Sequence, residues 1–116
     1  MLVEDHHSFR QALAFLLGRE PDLEIVAQAG SLAQARELFD WRLDVAVVDL
    51  TLPDGDGREL FAEPRRSNPG VSVVVLSATI EAGHVEEVLR AGADAVPDKV
   101  EAPLIIAEEV RRLAGR

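Results

Sequence analysis

The chain has 116 residues, of which 47% are hydrophobic; its net charge is −9, and it contains no cysteine. That is enough apolar material for one domain with its own core, so disorder is excluded; the acidic balance argues against direct contact with nucleic acid or anionic membrane, and the absent thiols exclude disulfides and thiolate metal sites. No apolar run approaches the roughly 20 residues that span a bilayer and no secretory pattern opens the chain, so a soluble cytoplasmic domain over residues 1–116 is the expectation.

Leu2-Val3 reads as the end of a first strand, short against a typical length of about 5–6 residues, and Glu4-Asp5 follow it at once. Phe9, Leu13, Leu16 and Leu17 have helical spacing within Ser8 to Leu17, and Gly18 is a stop signal. Leu23 to Ala27 alternates weakly and reads as a second strand. Ser31 stands three residues before Gln34, the spacing of a capping box, and the helix it opens carries Leu32, Ala35, Leu38 and Phe39 on one face, with Trp41 as a packing residue near its end. Leu43 to Val48 reads as a third strand, with the apolar residues Val45 to Val48 running into Asp49, and the turn residues Pro53, Asp54, Gly55, Asp56 and Gly57 follow. A third helix is expected from about Arg58, shortened or kinked at Pro64, since an interior proline costs about 3 kcal/mol. Val71 to Leu76 is the strand richest in β-branched residues. Glu81 to Ala91 reads as a helix closed by Gly92, Ala93 to Pro97 as a short edge strand, and a last helix opens at Pro103.

Strand and helix thus alternate five times, which predicts a parallel sheet covered by helices on both faces. The order 2-1-3-4-5 sets strands one and three side by side and puts the Pro97 strand at an edge. This is an α/β, flavodoxin-like (βα)5 three-layer sandwich. In such sheets ligands bind at the carboxyl ends of the strands, and Glu4, Asp5, Asp49, Ser77 and Lys99 would all lie on that rim. Asp5, Asp49 and one backbone carbonyl could hold Mg2+, a hard cation that keeps several waters, with Glu4 reaching it through a water. Beside Mg2+ and Lys99 a carboxylate stays ionised and nucleophilic, and a ligand that needs a dication, a lysine and a hydroxyl at once is a phosphoryl group. His6 and His7 read as solvated residues at a helix entry, and the scattered arginines (Arg10, Arg36, Arg65, Arg66, Arg111 and Arg112) as a solvated surface. Asp54 and Asp56 alternate as in a calcium loop, but Arg58 breaks the alternation and no glutamate follows at the required spacing.

The stretches Leu2-Val3-Glu4-Asp5-His6, Asp49 through Gly57, Leu76-Ser77-Ala78, Ala91-Gly92-Ala93-Asp94 and Lys99 together resemble the receiver domain of two-component response regulators, over essentially the whole chain. The Glu-Asp-His-His opening and the Lys99 to Pro103 segment look most like the subfamily with a C-terminal helix-turn-helix. The resemblance implies that Asp49 accepts a phosphoryl group from a histidine kinase or phosphotransfer protein. It implies that Asp5 ligates Mg2+ directly, Glu4 through water and Thr51 by its backbone carbonyl. Ser77 matches the switch hydroxyl, Ala78 the small residue beside it, and Lys99 the lysine that pairs with a phosphoryl oxygen. Val96 stands where the family usually has Tyr or Phe, and Val100 where many relatives have a cis-linked proline. A DNA-binding output domain outside the chain, pairing of two receivers, and a switching face built from helix four, strand five and helix five are further implications. The competing reading is a docking module of the same fold that works without phosphorylation. A hydrolase using Asp49 as nucleophile is disfavoured because Thr51 stands where a second aspartate would be needed.

Overall fold

Val45, Ala46, Val47 and Val48 point alternately to opposite faces of a strand, as period-two geometry requires, and all four are buried. A strand buried on both faces must lie between two layers of other elements. In the computed structural model, which describes residues 1–39, 43–60, 70–76, 82–97 and 103–114, this strand is β3 (Val45–Asp49). It lies between β1 (Leu2–Val3) and β6 (Ser72–Leu76), both parallel to it. β2 (Gln28–Ala29) pairs with the other side of β1, giving the order β2-β1-β3-β6. Beyond β6, Ala95 forms a parallel bridge to Val74, and its carbonyl accepts from the Val75 amide at 2.9 Å. The expected order 2-1-3-4-5 is therefore present, with the fifth strand reduced to one bridge.

Among the described residues, two helices lie over each face of the sheet. α1 (His7–Gly18) and α4 (Pro103–Ala114) enclose Leu2, Leu13, Leu17, Val45, Val47, Val74, Leu76, Ile106 and Leu113. α2 (Leu32–Leu38) and α3 (Ala82–Ala91) lie over Val3, Leu32, Ala35, Ala46, Val48, Val73, Val75 and Val88. Each fully buried valine contributes on the order of 1.5–3 kcal/mol of transfer free energy, which makes the three β6 valines a principal source of core stability. Arg111 on α4 donates to both carboxylate oxygens of Asp22 and, at 3.3 Å, to Glu20, tying that helix to the turn after α1. This pairing holds the Asp22 carboxyl below the ordinary carboxylate range.

Several expected elements are displaced. The second strand is confined to Gln28–Ala29, not Leu23 to Ala27. Backbone hydrogen bonds run from Leu2 to Ala27 and from Glu4 to Ala29, so β1 is already used there. Across from Leu23–Val26 lies a cleft of about 550 Å³, lined by Met1, Leu2, Ile25 and Val45 among others. Leu16 and Leu38, placed on apolar faces by spacing, are 39% and 41% exposed, because those helices bury narrower stripes. Helical backbone begins at Glu59, in line with the start expected at about Arg58; Pro64 and Trp41 lie outside the described residues.

Met1 is only 7% exposed, and its ammonium donates to the Val45 carbonyl at 2.9 Å. Burial pushes this amine down from 8.0 to about 6. Burial favours the neutral amine, so the unfolded chain binds more protons between those two values and stability rises with pH across them. For the 116-residue chain the rise is roughly 2–3 kcal/mol. Acetylating the amino group, which keeps an N–H donor, should flatten this part of a urea-denaturation series taken from pH 6 to 8.

Candidate functional site

The pairing of β1 with β3 builds the site. Leu2 lies beside Val47 and Val3 beside Val48, so the next step along both strands brings Glu4 beside Asp49. One carboxylate oxygen from each of Glu4, Asp5 and Asp49 lies within 4.8 Å of the other two. Glu4 is 2% and Asp49 7% exposed, whereas Asp5 faces solvent. The longer Glu4 side chain thus turns inward, where its Oε1 accepts from the His6 amide at 3.1 Å.

Three carboxylates this close repel one another unless a cation joins them. Their oxygen-only donor set suits a hard dication, and their spacing matches the roughly 4–5 Å across a Mg2+ or Ca2+ shell. The residues present therefore fit the Mg2+ that the sequence implies, with Asp5 giving the site an open side.

The turn after Asp49 is tightly built. Thr51–Leu52 (β4) and Gly55–Asp56 (β5) form a small antiparallel hairpin. The Gly57 amide donates to the Leu50 carbonyl at 2.8 Å and closes its base. A Cβ on Gly57 would overlap the Asp49 carbonyl oxygen and touch Val48 and Leu50, so only glycine fits there. At the tip, both carboxylate oxygens of Asp54 accept from α2, Oδ1 from the Leu32 amide at 2.8 Å and Oδ2 from Ala33 at 3.1 Å. These two amides hold the Asp54 carboxyl below its ordinary range. Asp56 is held low in the same direction by the Arg58 guanidinium.

Of the site residues expected from sequence, the structure brings Glu4, Asp5 and Asp49 together and sets Thr51 in the adjoining hairpin. Val96 is half-buried and packs against the core on the α2 side. Ser77, Ala78, Lys99 and Val100 lie outside the described residues. His6 and His7 are exposed at the entry to α1 as expected, and His6 also caps the helix, its Nδ1 accepting from the Phe9 amide at 3.2 Å. The reading of Arg10 as part of a solvated surface is corrected. It is half-buried, and its Nη1 donates to the Glu4 carbonyl at 2.8 Å, fixing the backbone that carries two of the carboxylates. Arg36, Arg111 and Arg112 pair with acidic neighbours at the surface.

Residues 1–111 match the family model described as the response regulator receiver domain. The chain belongs to that family. Among curated proteins it is 38% identical over 93 residues to the DNA-binding transcriptional activator DevR/DosR of Mycobacterium tuberculosis, covering 79% of this chain and 43% of the relative. It is also 38% identical over 93 residues to the transcriptional regulatory protein UhpA of Salmonella typhimurium, covering 79% of this chain and 46% of that protein. The receiver thus spans a little under half the length of these two relatives. Among solved structures, the receiver domain of the response regulator NarL from Mycobacterium tuberculosis superposes with a TM-score of 0.89 at 29% identity, over 98% of this chain and 93% of that one. Among the described residues, no helix of the receiver is long and apolar enough to cross a membrane.

Replacing Gly57 by alanine should destabilise the receiver by about 1–3 kcal/mol, the usual cost of overpacking, as read from its urea midpoint. Alanine at Gly18, where a Cβ meets nothing within 4 Å, should leave the midpoint nearly unchanged.

Proposed function

We propose that this receiver accepts a phosphoryl group on Asp49 in a Mg2+-dependent transfer from a histidine kinase or phosphotransfer protein. The single observation that carries the reading is the convergence of Glu4, Asp5 and Asp49 at the carboxyl ends of two adjacent parallel strands. Membership of the receiver family and of its functional setting, two-component signalling, supports it.

In this reading a carboxylate oxygen of Asp49 attacks phosphorus as the bond from phosphorus to the donor's imidazole nitrogen breaks, and the freed imidazole leaves with the electron pair. Burial of Asp49 restricts water around the nucleophile, and the β3 backbone fixes its direction of approach. The Asp5 and Asp49 carboxylates and the Thr51 carbonyl would hold Mg2+, and Glu4 would reach it through a water; when bound, the ion would supply neutralisation of charge on the transferring group. Lys99 pairs with a phosphoryl oxygen and Ser77 moves to the group once it is attached. Hydrolysis of the aspartyl phosphate by the receiver itself resets the state.

The added charge of about −1.5 to −2 is then read on the face formed by α3, the Ala95 segment and α4. Val96 offers less surface than an aromatic for that coupling, so its contribution rests on packing against the core. A DNA-binding output domain, as in the transcriptional relatives, is the readout in the longer protein, and a second receiver is a candidate partner.

Incubation with acetyl phosphate and Mg2+ should add one phosphoryl group by intact-mass spectrometry. Asp49→Asn or EDTA should remove the adduct, and Asp5→Asn should lower its rate by about 10-fold or more, as for loss of a direct metal ligand. A folded wild-type receiver that takes no adduct while binding a partner equally with and without beryllofluoride would instead be a phosphorylation-independent docking module.

A further inference from the structure

The loop that follows Asp49 is pinned at its far end by a residue with no assigned part in the chemistry. Asp54 sits at the tip of the β4–β5 hairpin and reaches the first turn of α2, accepting from Leu32 at 2.8 Å and Ala33 at 3.1 Å. The next amide of that turn, Gln34, is already capped by the Ser31 hydroxyl at 3.2 Å. Two caps from different parts of the chain therefore divide the helix N-terminus. Ser31 is local, while Asp54 is 22 residues away from Leu32.

The consequence is a closed ring of contacts. Glu4 donates its amide to the Ala29 carbonyl at 2.9 Å, on the strand that leads directly through Gly30 and Ser31 into α2. Asp54 then joins α2 to the hairpin that contains Thr51, and Gly57 returns the hairpin to Leu50 beside Asp49. β1 and β3 close the ring by pairing Val3 with Val48. The acidic residues that follow β1 and the loop residues of the same site thus share one frame, and Asp54 is its side-chain link.

We propose that Asp54 is a positioning residue: its bidentate contact with α2 sets the place of the Thr51 segment relative to Asp5 and Asp49, and so sets the affinity for Mg2+. This rests on the reading of Asp5, Asp49 and Thr51 as the metal site. Asn at position 54 keeps one acceptor but turns an NH2 donor toward one of the two amides, so it holds the loop less well. Ala holds it not at all.

The test is Mg2+ titration calorimetry on the wild-type chain, Asp54→Ala, Asp54→Asn and Ser31→Ala, each with its urea midpoint. Ser31→Ala removes the other cap of the same helix without touching the loop. Asp54→Ala should weaken Mg2+ binding by about 3- to 30-fold, the factor that loss of a helix cap represents, with Asp54→Asn between it and wild type. Ser31→Ala should lower the urea midpoint comparably and leave Mg2+ affinity unchanged. Equal loss of affinity in Ser31→Ala and Asp54→Ala would show that α2 stability alone matters and would overturn the proposal. So would wild-type affinity in Asp54→Ala. Should Asp54→Ala fail to fold, Asp54→Asn decides, since wild-type affinity in that variant overturns the proposal and weakened binding supports it. A wild-type chain that binds no Mg2+ overturns the metal-site reading itself, an outcome distinct from normal wild-type binding that Asp54 variants leave unmoved.

Discussion

The parallel pairing of β1 with β3 is the constraint on which the rest of the receiver depends. It is short, with Leu2 and Val3 set against Val47 and Val48. Yet it fixes which residues leave the sheet side by side, and those residues are acidic on both strands. Slipping the register by one would turn Glu4 and Asp49 to opposite faces of the sheet. The buried alternation of β3 prevents this, because Val45 and Val47 are committed to the α1–α4 layer while Ala46 and Val48 are committed to the α2–α3 layer. Apolar packing thus holds three like charges within reach of a single cation, a cost met by the core rather than by the site.

Around that centre, the polar contacts act on backbone more than on carboxylates. Arg10 binds the Glu4 carbonyl, Asp54 binds two amides of α2, and Gly57 lies against the Asp49 carbonyl. Among the described residues, the segments that carry Glu4, Asp5 and Asp49 are thus each tied through the main chain to a neighbouring segment.

Much of this was legible in the sequence. The valine-rich runs ending in Asp49 and Leu76 announced central strands, because a segment buried on both faces has few alternatives. The clustering of Glu4, Asp5 and Asp49 followed from strand order. Weakly patterned segments were harder. Leu23 to Val26 has strand-like alternation, but a strand needs a backbone beside it, and there a cleft lies across from it. Leu16 and Leu38 have the spacing of buried residues without a neighbouring layer close enough to cover them. Arg10 and Asp54 were missed as structural residues because both act over tertiary contacts with main-chain atoms, which leave no mark on local periodicity.

The ammonium of Met1 reaches Val45, 44 positions further along the chain. β1 is therefore flanked in space by two strands that follow it in the chain. At a synthesis rate of about 5–20 residues per second, several seconds pass on the ribosome before β1 can meet β3. During that interval Leu2 and Val3 have no sheet to join, and Glu4 and Asp5 are ordinary solvated acids. The acidic cluster comes into being only with the long-range pairing of β1 and β3, so assembly of the site waits on a tertiary contact rather than on local structure.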